Sequence, residues 1–293
     1  MLNTLRMQLY WMRRSLKTWL IIILCVVFSA VMTYMTYALT DMLKDEENRK
    51  QFDAAISETE DVGLSIGVQM DPTQIEEFND ETAYKYESLV SNVFNSGIIE
   101  LMTVIFAVTV AVAEFKNGYV KNLVCAMKKR RYLPVTKAIA VSLFVIVMVI
   151  ASALSVIVTA MIISAVKDGG FAESGSVSAL LKVIGMQSIL HIAVSLFCMT
   201  VMTVTKSTVI SVIFGVCSAT NVIGSALSVV DSLIERLFSK EVVLESYIVS
   251  TQIMNCSADM DKDFVVKAVI IAVCFAAVAI AGSVVAVGKR DIK

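Results

Sequence analysis

Proline is almost missing from this chain, with only Pro72 and Pro134 in 293 residues. Proline interrupts helices and punctuates turns, so its scarcity favours long unbroken helices over a turn-rich β architecture. Charge is also sparse: Asp, Glu, Lys and Arg make up 17% of the residues, against about a quarter in ordinary soluble domains. That excludes a disordered, solvated chain. A single histidine, His191, excludes a two-histidine metal site and the H-E-x-x-H protease motif. The six cysteines (Cys25, Cys125, Cys198, Cys217, Cys256 and Cys274) fall mostly inside apolar runs, without a CxxC pair or regular spacing. They read as small packing residues. A phosphate loop is lacking too: Gly282…Gly288-Lys289 has five intervening residues where the motif needs four, and Arg290 stands where Ser or Thr must bind magnesium.

What the chain has instead is apolar surface. Hydrophobic residues make up 57% and the mean hydropathy is +0.76, more than a soluble core of this size consumes, so the excess must face lipid. Crossing the hydrocarbon takes about 20 mostly apolar residues. Six stretches qualify: 18–40, 94–113, 138–165, 183–205, 207–229 and 265–287. The fourth and fifth are separated only around Lys206, which predicts a tight turn there, or alternatively one bent or re-entrant segment. The first run is preceded by Arg6, Arg13, Arg14 and Lys17 but is too long for a signal-peptide core, and is expected to be an uncleaved span.

Orientation follows from the basic residues. The N-terminal arm and the 114–137 connection, with Lys116, Lys121, Lys128, Lys129, Arg130, Arg131 and Lys137 against Glu114 alone, are expected in the cytoplasm. Residues 41–93 carry fourteen acids against Lys44, Arg49, Lys50 and Lys85, and are expected outside as an acidic segment. Residues 230–264, with seven acids and three bases, are also expected outside, as an extracellular or re-entrant segment. Both termini then lie in the cytoplasm. In residues 1–17, Leu2, Leu5, Leu9, Met12 and Leu16 recur at spacings of three and four, with Arg6, Arg13 and Lys17 beside the stripe. This predicts an amphipathic interfacial helix in the membrane plane; the alternative is that the first span starts early.

The sharpest pattern lies in the 114–137 connection. Glu114 is followed by Gly118 at four, Arg130 at a further twelve and Lys137 at a further seven, and Val120, Leu123, Val124 and Met127 form an apolar helical stripe among the bases. Such a stripe can seat in a groove of a soluble partner while the bases pair with its acids; bases of this kind also anchor loops to anionic lipid. The ordered pattern resembles the permease subunits of type-2 ATP-binding-cassette (ABC) exporters, in which an acid and a glycine leave the second span, a short helix follows, and an arginine precedes a lysine opening the third span. Met127-Lys128-Lys129 stands where members often carry a small-residue Val-Ser or Ala-Ser step. The six spans, the N-terminal amphipathic helix and a membrane-dipping helix pair before the last span extend the resemblance over nearly the whole chain.

The resemblance implies an all-α integral membrane protein of six transmembrane helices, and a function as the permease subunit of an ATP-driven exporter in a bacterial cytoplasmic membrane. It implies a second permease copy or paralogue and a dimer of separate ABC ATPase subunits, which would hold ATP and magnesium, leaving this chain with no cofactor, metal, catalytic residue or nucleic-acid partner. Glu114, Gly118, Lys121, Arg130 and Lys137 would couple to the ATPase. The solute would be amphipathic or hydrophobic, with a drug or an antimicrobial peptide as candidates.

Three further features stand on the residues alone. Ser211, Gly215 and Ala219 repeat at four in the fifth span, with Asn221 close by; small residues at this spacing allow close helix approach, either as a dimer seam lining the translocation path or as packing within one subunit. Glu100 lies about 9 Å into the second span at 1.5 Å per residue, and is either functional or a carboxylate near the interface. His191 lies in the fourth span one turn after Gln187, where an interhelical hydrogen bond is the plain expectation. Glu100 and His191 frame a rival reading, an ion-coupled secondary transporter. A non-transporting scaffold or sensor presenting residues 41–93 is another.

Overall fold

The computed structural model describes residues 2–43, 84–116, 132–166, 171–238 and 243–288. In chain order the helices are α1 (Leu2–Arg14), α2 (Leu16–Leu43), α3 (Tyr86–Asn95), α4 (Ile98–Lys116), α5 (Tyr132–Val166), α6 (Val177–Thr205), α7 (Thr208–Ala219), α8 (Val222–Phe238), α9 (Val249–Met254) and α10 (Lys262–Gly288). The described part is an all-α membrane protein. α2, α5, α6 and α10 are each long and apolar enough to cross a bilayer, and two bent pairs, α3 with α4 and α7 with α8, qualify when each pair is taken as one span. The only strands among the described residues are two-residue β1 (Tyr84–Lys85) and β2 (Ala172–Glu173), paired in parallel with Tyr84 opposite Ala172.

α6 is the axis of the bundle, packing against α3, α4, α5, α7, α9 and α10. Over half of its apolar window is buried, against 22% for α10, whose outward face carries Val266, Ile270, Val273, Val278 and Val285 exposed. An apolar face turned away from the protein is what lipid requires. Several hydroxyls inside the bundle are satisfied by backbone carbonyls or by other hydroxyls. Ser29, Thr33, Thr36 and Thr40 on α2 each donate to the carbonyl one turn back. Ser155 of α5 donates to the Val26 carbonyl of α2 at 2.9 Å, and Thr200 of α6 meets the Ala279 carbonyl and Ser283 of α10, each at 2.9 Å. These bonds cross between helices where lipid offers no alternative partner.

α1 forms over the expected interfacial residues. It ends at Arg14, Ser15 breaks it from α2, and Met12 is buried where α1 packs on α5. The turn expected near Lys206 is present: Lys206 takes the left-handed conformation at φ 57°, and the Ser207 hydroxyl accepts from the Ile210 N–H to start α7. The stretches 94–113 and 207–229, expected as spans, each contain a break. α3 meets α4 at 57°, and α7 meets α8 at 61°, and α8 runs on to Phe238, into the stretch expected as an extracellular or re-entrant segment. Most of the acidic 41–93 segment, residues 117–131 of the basic connection and the C-terminal tail lie outside the described residues.

Candidate functional site: the joint of two broken helices

Both breaks occur where the backbone turns left-handed. Gly97, at φ 74°, separates α3 from α4, and Asn221, at φ 50°, separates α7 from α8. Glycine and asparagine are the residues that tolerate this conformation best. The two breaks touch. A Cβ on Gly97 would overlap the carbonyl oxygen of Ala219, the last residue of α7, so glycine is needed here for close approach as well as for φ.

Glu100, in the first turn of α4, is fully buried against this joint. Its Oε1 accepts from Ser218 Oγ at 2.7 Å and from Ser250 Oγ at 3.0 Å, and the two serine hydroxyls contact each other. Ser218 belongs to the last turn of α7 and Ser250 to the first turn of α9, so one carboxyl oxygen ties three helices. Thr251 Oγ1 of α9 donates to Asn221 Oδ1 at 3.1 Å, fastening the second break to the same helix.

A polar layer continues from the joint along α6. Gln187 Nε2 donates to Asn95 Oδ1 at 3.3 Å and to the Ile253 carbonyl at 3.2 Å. Asn95 Nδ2 donates to the Cys256 carbonyl at 3.3 Å, and Ser91 Oγ donates to the same carbonyl. His191 Nδ1 lies 2.7 Å from the Gln187 carbonyl; since a carbonyl only accepts, Nδ1 carries the hydrogen and Nε2 is left as an acceptor. The imidazole meets Phe94 edge-on at 5.6 Å. Cys256, in the connection after α9, is buried, and burial pushes its thiol up to about 12, so it is no thiolate nucleophile at neutral pH.

At the far end of α4 a cleft of about 360 Å³ opens between the α1–α2 break, α4 and the start of α7. Its walls include Trp11, Lys17, Ile21, Phe106, Val110 and Thr208.

The sequence-predicted residues are therefore distributed unevenly. Glu100 and His191 both belong to the buried polar layer, and Glu100 is hydrogen-bonded at the joint. Ser211, Gly215 and Ala219 face into the chain: Ser211 is fully buried, and a Cβ on Gly215 would overlap Val104 of α4. Of the two readings of this stripe, packing within one chain is the one these contacts display. Asn221 is the left-handed break itself. Lys137 is buried in the first two turns of α5, and Glu114 lies in the last turns of α4. Gly118, Lys121 and Arg130 lie outside the described residues. Sequence reasoning missed Gly97, Asn95 and Ser250. The available signal was Asn95-Ser96-Gly97 and Thr220-Asn221, turn-forming residues set against apolar runs.

Among the described residues no group of three or more His, Cys, Asp and Glu side chains is arranged to hold a metal ion. No curated protein matches the chain. A family model described as "Protein of unknown function (DUF2705)" matches residues 70–293, from before α3 to the C-terminus. With well over half of its length matched, joint, polar layer and basic connection included, the chain belongs to the DUF2705 family.

Proposed function

We propose that the chain is the permease subunit of an ATP-driven exporter, working as a pair of permeases with two copies of a separate ABC ATPase subunit. The observation that carries this reading is the basic connection 114–137 with its Glu114, Gly118, Arg130 and Lys137 spacing, set between two helices that can act as levers. α4 runs unbroken from Lys116 back to Ile98, beside the joint, and α5 runs unbroken for 35 residues from Tyr132. A displacement of the connection is transmitted along α4 as a rigid rod and reaches Glu100, Ser218 and Ser250 at its other end. Packed helices respond to such a push by switching between discrete arrangements.

In this reading the basic connection and the N-terminal arm face the cytoplasm, by the distribution of Lys and Arg. The cleft between α2, α4 and α7 then lies toward the cytoplasmic side, and the joint lies at the other end of α4. The cleft's aromatic and aliphatic walls, with Lys17 beside them, suit an amphipathic or hydrophobic solute. ATP hydrolysis belongs to the partner, because the phosphate-loop pattern does not occur here.

The test is affinity purification of the full-length chain from its native membrane. An ABC ATPase should co-purify with the native chain, and Arg130→Glu should lose it while the protein remains in the membrane. An associated ATPase that survives Arg130→Glu and Gly118→Pro together removes the coupling role from this connection.

A further inference from the structure

The hydroxyls around Glu100 do not carry enough hydrogens for the contacts they make. Three oxygens, Glu100 Oε1, Ser218 Oγ and Ser250 Oγ, lie in mutual hydrogen-bond contact. Three O···O contacts need three hydrogens, and two serine hydroxyls supply two. The rest of the layer cannot lend one. Glu100 Oε2, Gln187 Oε1 and His191 Nε2 are buried without partners among the described residues, and all three are acceptors in the arrangement described. Nor does a cation compensate the carboxyl: Glu100 makes no ion pair with any described residue. A bare carboxylate among apolar helices is costly.

We propose that Glu100 is a proton-binding site: the missing third hydrogen is a carboxyl proton on Oε1, and the three hydrogens then run one way around the triangle, Oε1 donating to one serine hydroxyl, that serine to the other, and the other back to Oε1, while Oε2 is a neutral carbonyl oxygen. A proton fits this arrangement better than a sodium ion. A metal cation gathers several oxygens around itself and holds them apart, whereas these three touch each other directly. The triangle spans α4, α7 and α9, so it exists only while the joint is closed. Separating α7 and α9 from α4 removes both hydroxyl partners and admits water, and the carboxyl then releases its proton to the solution on the joint's side. Closure takes one proton back from the same side. The proton thus accompanies opening without crossing the membrane.

Few other titratable groups face Glu100. From α6 come Cys198, within electrostatic reach, and His191 further along the helix. The described parts of α7 and α9 contribute hydroxyls at the site, with half-buried Cys217 next to Ser218. On α3, Glu87 is bound to the Ser176 N–H. On α2, Cys25 is held by Ser152 of α5. On α10, Lys267 is engaged by Ser246 and the Tyr247 ring.

The experiment uses the purified full-length chain in detergent, without any ATPase, so its outcome is independent of the permease reading. Infrared spectra at neutral pH should show the carbonyl stretch of a neutral carboxylic acid that disappears in Glu100→Gln and persists in Glu87→Gln. If no such band is lost, the proposal is overturned. Glu100→Gln supplies a neutral amide of the same shape that cannot titrate, so its stability should not change across the pH range in which that of the native chain does. The folded state holds a proton that the unfolded chain releases, so above the ordinary carboxyl range the unfolding equilibrium of the native chain should rise up to tenfold per pH unit relative to Glu100→Gln. A native midpoint that rises with sodium in place of choline, with the effect lost in Glu100→Gln, identifies a cation site and overturns the proposal. Should Glu100→Gln fail to accumulate, Ser250→Ala decides: removing one side of the triangle must shift the acid band, and an unmoved band overturns the assignment.

Discussion

Gly97→Ala is the substitution for which the structure gives the firmest expectation. Gly97 holds φ 74°, a conformation that costs an L-residue about 1 kcal/mol or more. Its new methyl group would also collide with the carbonyl oxygen of Ala219. That neighbour is backbone at the end of α7, so relief requires the whole break to move, at about 1–3 kcal/mol for overpacking of this kind. Moving Ala219 also moves Ser218, its chain neighbour, and strains the 2.7 Å contact with Glu100. The two terms together predict a loss of about 3 kcal/mol. Gly185→Ala is the control. Gly185 lies inside α6 with open space where a Cβ would stand, so alanine should be neutral or stabilising by up to about 1 kcal/mol. Thermal unfolding of both variants in one detergent, followed by retention of the monodisperse size-exclusion peak, measures the difference. If Gly97→Ala is as stable as Gly185→Ala, the two breaks do not pack on each other and the joint is misdescribed.

Gly215→Val should cost about 1–3 kcal/mol by overpacking against Val104 in the same unfolding assay. If it leaves stability untouched while weakening self-association, the small-residue stripe is a seam after all. Ser218→Ala and Ser250→Ala should each cost about 1 kcal/mol, and the double variant less than the sum, because both hydroxyls serve one oxygen; additivity would contradict a shared triangle. Thr200→Val removes the hydroxyl joining α6 to Ala279 and Ser283 of α10 and should cost about 0.6–1.7 kcal/mol, whereas an unchanged midpoint would show that this contact carries no net stability.

The spans were legible because a bilayer imposes one rule, about 20 apolar residues in a row, and α2, α5, α6 and α10 obey it. The turn at Lys206 was legible because a charged residue with serine and threonine neighbours interrupts two apolar runs. The breaks at Gly97 and Asn221 were not read, since hydropathy averages over a window and one glycine or asparagine hardly lowers it, while the left-handed φ is a property of a single residue. Glu100 stood out as an ionisable group in an apolar run. Its partners did not: Ser218 and Ser250 lie 118 and 150 residues away in sequence, and only packing around α6 brings them together. The small-residue stripe of α7 was legible as a close-approach surface, but periodicity says nothing about which helix approaches. Val104 of α4 answers that question.

Transport measured in inverted membrane vesicles bears most directly on the proposed function. Vesicles containing this chain and its co-purifying ATPase should accumulate a fluorescent cationic amphipathic peptide when ATP is supplied. Accumulation should persist after a protonophore collapses ion gradients, and should be lost in Arg130→Glu. Accumulation that needs an ion gradient, survives Arg130→Glu and proceeds without ATP would contradict the account, and would make the carboxyl at the joint the driver of transport.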